Sequence, residues 1–392
     1  MINEIPLSVP NLNPNIIENF KECIETGWVS TGGRFIEEFE EKIAAYVGVK
    51  EAVSTQSGTA GIHLALKIAG VEASDEVIVP ALTFIAAVNP VRYIGAEPVF
   101  MDCDSGLCMD AEKLEKFCSS ECERTEFGLF NRLTKKRVAA IIVVHVFGNM
   151  ADMARIMEVA EKYRIVVIED ATEAIGTYYT EGIYKGKYAG TIGAIGVYSF
   201  NANKIITTGG GGMIVSGGKN YLDKARYLST TAKDDNLYFA HDEVGYNYRM
   251  LNIQAAIGTS QIDELESFIT VKKSNYELYK ELLNGEEGIT LMSFEGGIRP
   301  NYWFYSIFVN KSKYGLDRDE LMRKLLSSNV QCRPVWKLIN TQKPYLSALS
   351  YDIEKAYEYA SNVLNLPCSV NLSREQIEYI CEIIRGTHCE KG

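Results

Sequence analysis

The run Ser199-Phe200-Asn201-Ala202-Asn203-Lys204-Ile205-Ile206-Thr207-Thr208, followed by the glycines Gly209 to Gly212, places one lysine between an apolar segment and a glycine-rich one. Ile195 to Phe200 reads as a buried strand that ends in a polar turn, and the glycines let backbone approach a ligand closely. An amine in such a place can form a Schiff base with an aldehyde cofactor, which makes Lys204 a candidate catalytic residue. A surface lysine beside a flexible loop fits the same run.

Two other segments give this lysine a context. Tyr163-Arg164-Ile165-Val166-Val167-Ile168-Glu169-Asp170 reads as a parallel strand ending on a carboxylate, and ligands of open α/β sheets sit beyond such strand ends. Asp170 there can pair with the pyridine nitrogen of pyridoxal 5′-phosphate, or cap the helix that follows. Glu51 to Thr55 is a short strand, after which Gln56-Ser57-Gly58-Thr59-Ala60-Gly61 opens the amphipathic stretch Ile62 to Ala69. Small residues at a helix start leave N–H groups free for a phosphate, although an ordinary capped helix looks the same.

Strand-like runs recur at Glu76 to Val79, Glu97 to Met101, Ala139 to Val144, Ile165 to Ile168 and Ile195 to Phe200. Helical patterns lie at Gly33 to Val47, Ile85 to Tyr93 and Met150 to Tyr163. This alternation predicts an α/β fold with a mostly parallel sheet covered by helices on both faces. Ile253 to Leu283 predicts a long helix leading into a smaller C-terminal α+β domain, with strands at Tyr302 to Val309 and Val330 to Val335 and a final helix at Arg374 to Arg385. A chain of 392 residues exceeds one simple core, so the division is placed at 1–265 and 266–392.

Composition narrows the function classes. A hydrophobic content of 46% with 23% charged residues describes an ordinary globular chain. The net charge of −11 argues against a nucleic-acid binder. No apolar run reaches membrane-spanning length, and Met1-Ile2-Asn3-Glu4 does not read as a signal peptide, so a cytoplasmic location is expected. The nine scattered cysteines read as reduced thiols, and with four histidines they form no zinc spacing, so no metal is expected.

Six motifs in order carry a family resemblance over about Ile5 to Ile384. They are Gly27-Trp28-Val29-Ser30-Thr31-Gly32-Gly33, Gln56 to Ala60, Pro80-Ala81-Leu82-Thr83-Phe84, Glu169-Asp170-Ala171-Thr172-Glu173-Ala174, Ser199 to Lys204, and Gly245-Tyr246-Asn247-Tyr248-Arg249-Met250. The chain resembles the DegT/DnrJ/StrS group of pyridoxal phosphate-dependent nucleotide-sugar aminotransferases, of the fold-type I, aspartate aminotransferase-like superfamily. Within it, the chain is most similar to the branch that aminates C4 of UDP-linked 4-keto-6-deoxy-N-acetylhexosamines on the way to bacillosamine- and legionaminic acid-type sugars of bacterial surface glycans.

The resemblance implies roles. Lys204 holds the cofactor and then shuttles a proton, Asp170 faces the pyridine nitrogen, and Ser57, Gly58, Thr59 and Ser199 hold the phosphate. Phe84 stacks on the ring, and Asn247 reaches the phosphate from the partner subunit of a homodimer with shared sites. Glu173 stands where many relatives carry glutamine beside the phenolic oxygen, so it is either protonated there or turned away. Trp28, Thr31, Lys187, His145 and Arg333, the last with Trp336, are the candidates for the sugar nucleotide, and each also fits a packing or solvated role. L-Glutamate is the implied amino donor, leaving the pyridoxamine form of the cofactor to aminate the sugar ketone. The competing readings are a C3 sugar aminotransferase, a non-catalytic cofactor-binding regulator, and a dinucleotide oxidoreductase, for which the G-x-G-x-x-G arrangement is missing.

Overall fold

Short runs rich in β-branched residues, buried on both faces, build the main sheet. Its strands are β1 (Ala52–Thr55), β2 (Glu76–Pro80), β3 (Glu97–Met101), β4 (Val138–Val144), β5 (Val166–Asp170), β6 (Ile195–Ser199), β7 (Gly212–Val215) and β8 (Leu349–Tyr351) in a computed structural model that describes residues 4–235 and 237–386. The lead residues Met1-Ile2-Asn3, which the sequence assigns to the first domain, lie outside the described residues. The spatial order is β1-β7-β6-β5-β4-β2-β3-β8. All neighbours are parallel except β7, which runs against both β1 and β6. The carboxyl ends of β1 to β6 therefore share one edge. The order reverses between β2 and β4, and ligands of open α/β sheets bind at such a reversal.

The glycine run explains β7. Gly211 lies at φ 146°, where side chains are strained, and a Cβ on Gly212 would lie 2.5 Å from the backbone of Ser57. Glycine is thus what lets β7 return alongside the start of the helix Gly58–Ile68. Phe200 N–H donates to the Gly211 carbonyl (2.9 Å) and Thr208 N–H to the Phe200 carbonyl (2.9 Å), closing a tight loop around Lys204.

A second sheet joins Ile289–Leu291, Tyr305–Val309, Val363–Leu366 and Arg333–Pro334, all antiparallel. The helix Asn252–Leu282 runs 31 residues and links the two sheets. Position 265 lies inside this helix, and two segments cross the 1–265 and 266–392 division. Ile5 pairs with Val330 beside the small sheet, and β8 adds an edge to the large one.

The buried Asp102 joins the two halves. Its carboxylate accepts from Lys113 Nζ (2.8 Å) and from the N–H groups of Glu354 (3.0 Å), Lys355 (3.1 Å) and Ala356 (2.8 Å) at the start of the helix Lys355–Asn362. Burial pushes this carboxyl up, but the Lys113 ammonium and the helix N–H groups outweigh it and hold it below the ordinary range. A carboxyl held low adds stability above its unfolded value of about 3.9, and that stability is lost as pH falls through the folded value. Asp102→Asn is expected to lower the thermal midpoint at pH 7 by about 3 °C, a gap that narrows below about pH 4; differential scanning calorimetry across pH checks this.

Candidate active site

A cleft of about 340 Å³ opens at the shared strand edge. Its lining comes from the segments just past β1 (Ser57, Gly58, Thr59) and β2 (Thr83, Phe84), from the last residues of β5 and β6 and the segments after them (Asp170, Thr172, Glu173; Ser199, Lys204), from Val144 at the end of β4, and from Trp303 and Trp336 on the small-sheet side. The predicted Ser57, Gly58, Thr59, Phe84, Asp170, Glu173, Ser199 and Lys204 thus meet in one place, although they are scattered over about 150 residues of chain.

Each has a local reason for its position. Ser57 caps the helix Gly58–Ile68 by accepting from Ala60 N–H (3.1 Å). The N–H groups of Gly58 and Thr59 precede the first intrahelical donor, and among the described residues neither has an acceptor, so both remain free at the positive end of the helix. Asp170 ends β5, is buried, and accepts from Thr172 N–H (3.0 Å). Burial raises its carboxyl.

Lys204 is closely surrounded. Its Nζ lies 3.6 Å from Glu173 Oε1 and 4.1 Å from the centroid of the Trp303 ring. Burial lowers its basicity, against the pull of Glu173 and Asp170. Burial also pushes the Glu173 carboxyl up to about 7. Its Oε2 accepts from Phe147 N–H (2.8 Å), and Phe147 adopts φ 56°, a strained conformation for a bulky residue. The long helix steadies the lysine loop: Gln254 donates to the Gly210 carbonyl (3.1 Å), and Gln261 Oε1 accepts from Thr207 N–H (3.2 Å).

Trp303 was missed by sequence reasoning, which placed it within a strand. The strand begins at Tyr305, and Trp303 lies in the irregular lead-in, where its indole donates to the Asn203 carbonyl (2.9 Å) and its own carbonyl accepts from buried Lys272 Nζ (3.0 Å). The available signal was rarity, since the chain has three tryptophans and two of them line this cleft. Thr83, Thr172, Asn201 and Asn203 also line it, from within or beside motifs already noted.

Other predicted residues lie outside the cleft. His145 is wholly buried: its Nε2 lies 2.9 Å from Glu169 and its Nδ1 accepts from Ala151 N–H (3.2 Å), so its ring serves the core. Trp28 and Thr31 are exposed on a segment whose backbone wraps the start of the long helix, with the Trp28 and Ser30 carbonyls accepting from Asn252. Lys187 is exposed in the loop following Tyr178–Tyr179, and Arg333 is exposed with its guanidinium on the Cys332 carbonyl (2.9 Å). Asn247 is exposed between Tyr246 and Tyr248, whose rings stack at 5.0 Å, and does not line the cleft of its own chain.

The cleft fits pyridoxal 5′-phosphate on its own chemistry. It offers a lysine of lowered basicity for an aldehyde, an acid for a ring nitrogen, and free N–H groups with hydroxyls for a phosphate. When bound, this cofactor supplies a carbonyl that carries an amino group between substrates and a ring that withdraws electrons.

Comparison with known proteins agrees. GDP-perosamine synthase of Escherichia coli O157:H7 is 35% identical over 387 residues, which span 99% of each chain. The UDP-4-amino-4-deoxy-L-arabinose–oxoglutarate aminotransferase of Shewanella sediminis is 31% identical across 88% of this chain and 86% of that protein. The crystal structure of a DegT DnrJ EryC1 StrS aminotransferase from Brucella abortus superposes with a TM-score of 0.86 at 26% identity, covering 95% of each chain. Residues 10–385 match the DegT/DnrJ/EryC1/StrS aminotransferase family, and the chain belongs to that family as a pyridoxal phosphate-dependent sugar aminotransferase.

Proposed function

We propose that this enzyme transfers an amino group from L-glutamate to the C4 ketone of a UDP-linked 4-keto-6-deoxy-N-acetylhexosamine, in the making of bacterial surface-glycan sugars. The observation that carries the reading is the meeting of Lys204, Asp170 and the free helix N–H groups of Gly58 and Thr59 in one cleft. Lys204 binds the cofactor aldehyde and, once released, holds and returns the proton at the carbon that gains or loses nitrogen. Asp170 holds a proton-bearing ring nitrogen in place, and Ser57, Gly58, Thr59 and Ser199 grip the phosphate. Phe84, about half exposed at the cleft mouth, covers the ring. The C4 position is supported by the UDP-4-amino-4-deoxy-L-arabinose aminotransferase among the relatives, whose name also supports the glutamate and 2-oxoglutarate pair. A GDP-linked 4-keto sugar is the second reading, favoured by the GDP-perosamine synthase.

The same proposal includes a homodimer. Leu237, Tyr238, Phe239 and Val244 are 66–83% exposed in a projecting loop that leads into Asn247, and Tyr93 is 57% exposed beside the His63–Tyr246–Tyr248 ring cluster. Exposed large apolar side chains of this kind support an association face. A second copy seated there would bring its Asn247 to the phosphate end of the cleft and complete the pocket for the sugar nucleotide, to which Trp28, Thr31, Lys187 and Arg333 are assigned. No described helix is long and apolar enough to cross a membrane, and all eight described cysteines are free and buried, which supports a reducing, cytoplasmic setting.

The purified protein is expected to show a visible absorbance band that bleaches with L-glutamate and returns with the UDP-4-keto sugar; return with only the GDP-linked ketone would select the second reading. Lys204→Ala is expected to lose that band and about 10⁴-fold or more in turnover, measured by 2-oxoglutarate release. Asn247→Ala is expected to bind cofactor about tenfold more weakly, read by equilibrium dialysis and corresponding to the loss of one hydrogen bond to a charged group. Mixing the two variants should restore the tighter cofactor binding to one site per mixed dimer, because that site regains both Lys204 and Asn247, and sedimentation equilibrium should show two copies.

A further inference from the structure

Glu173 is held by two neighbours, one on its side chain and one on its backbone. Phe147 N–H holds its Oε2 at 2.8 Å, while Asn301 Nδ2 donates to the Glu173 carbonyl and to that of Ile175, both at 2.9 Å. Its other oxygen, Oε1, faces Lys204 Nζ at 3.6 Å. Torsion of the flexible lysine stem brings the two within hydrogen-bond reach without backbone movement. Among the described residues this is the single carboxylate within 4 Å of that nitrogen. Asp170 also faces the amine electrostatically, but one of its oxygens is engaged by Thr172 N–H. His145 is itself held on Glu169. The remaining wall is the Trp303 ring.

The carboxylate's one close cationic partner is therefore the amine that the reaction consumes. We propose that Glu173 is the proton acceptor for Lys204: it takes the ammonium proton as the amine attacks an aldehyde and keeps that proton while Lys204 is occupied. This rests on the reading of Lys204 as the cofactor lysine. The balance closes inside the cleft. The Nζ–H bond breaks with its electron pair left on nitrogen, and an O–H bond forms on Oε1. The two remaining amine hydrogens leave with the aldehyde oxygen as water when the carbon–nitrogen double bond forms. No proton need enter from solvent, and none need leave. A glutamine here would keep the Phe147 contact through its own carbonyl, yet it has no site for the proton. Ordinary lysine and glutamate values stand about six units apart, which would leave the proton on nitrogen. Burial moves the two towards each other, Lys204 down and Glu173 up to about 7, so the transfer becomes accessible near neutral pH.

The test is difference infrared spectroscopy of the cofactor-free protein before and after capture of pyridoxal 5′-phosphate. Borohydride reduction and peptide mass spectrometry establish in parallel whether Lys204 carries the adduct. The expected result is a gain of one protonated-carboxyl band per site, shifted by glutamate-selective ¹³C labelling and lost in Glu173→Gln. An adduct on Lys204 with no such band would overturn the proposal and leave the cofactor reading intact. A band that persists in Glu173→Gln would assign the proton to another acid and overturn it equally. Absence of the adduct from Lys204 would instead sink the reading on which the proposal rests. The isotope shift in the unaltered protein decides the matter even where the variant captures cofactor poorly.

Discussion

An amine set among buried neighbours, between a carboxylate and an indole, is the constraint that much of this structure serves. In water a lysine holds its proton some orders of magnitude too tightly to act as a nucleophile at neutral pH. Here the protein withdraws solvent from Lys204 and supplies a negative neighbour for it, and the two effects oppose one another. Burial dominates, leaving an amine whose proton is held less tightly than in water. The strand-end loop, the glycines behind it and the glutamines of the long helix all keep that nitrogen where it is.

The small-sheet half finishes the cleft. Trp303 covers one side of Lys204, and its own position depends on a buried lysine whose Nζ reaches the carbonyls of Trp303 (3.0 Å) and Cys368 (2.5 Å). Asn301 fastens the same segment to the turn bearing Glu173. The short stretch from Asn301 to Trp303 therefore sets both neighbours of the Lys204 amine. Phe147 pays for its contact with Glu173 in backbone strain, held by packing against Trp303, Phe304 and Trp336.

Much of this was legible beforehand for a specific reason. In a parallel sheet, each strand delivers its last residue and those after it to the same edge, so Asp170 and the turn at Ser57 were legible from strand ends, while Phe84 and Ser199 were added by the family resemblance. Lys204 followed by the same logic. His145 also ends a strand, but its side chain turns into the core, where Glu169 satisfies it; periodicity does not say which way a terminal side chain faces. Trp303 was illegible because its segment is irregular and enters from the other half of the chain. Trp28, Thr31, Lys187, Arg333 and Asn247 share another trait. All are exposed and lie outside the cleft, and the strand-end argument gathers no side chain of that kind.

The edge strand β8 carries a consequence for how the protein comes into being. It completes the large sheet beside β3, yet it is drawn from Leu349–Tyr351, late in the chain. During synthesis, β3 must therefore stay uncovered on that side for the whole interval between the emergence of Met101 and that of Leu349. A nascent chain in this state displays an unpaired parallel edge with its N–H and C=O groups open, the kind of template on which other chains add. The ribosome finishes the cofactor half of this enzyme only when it has nearly finished the enzyme. Termination anywhere short of Leu349 would thus release a sheet with an open seam rather than a truncated but tidy domain.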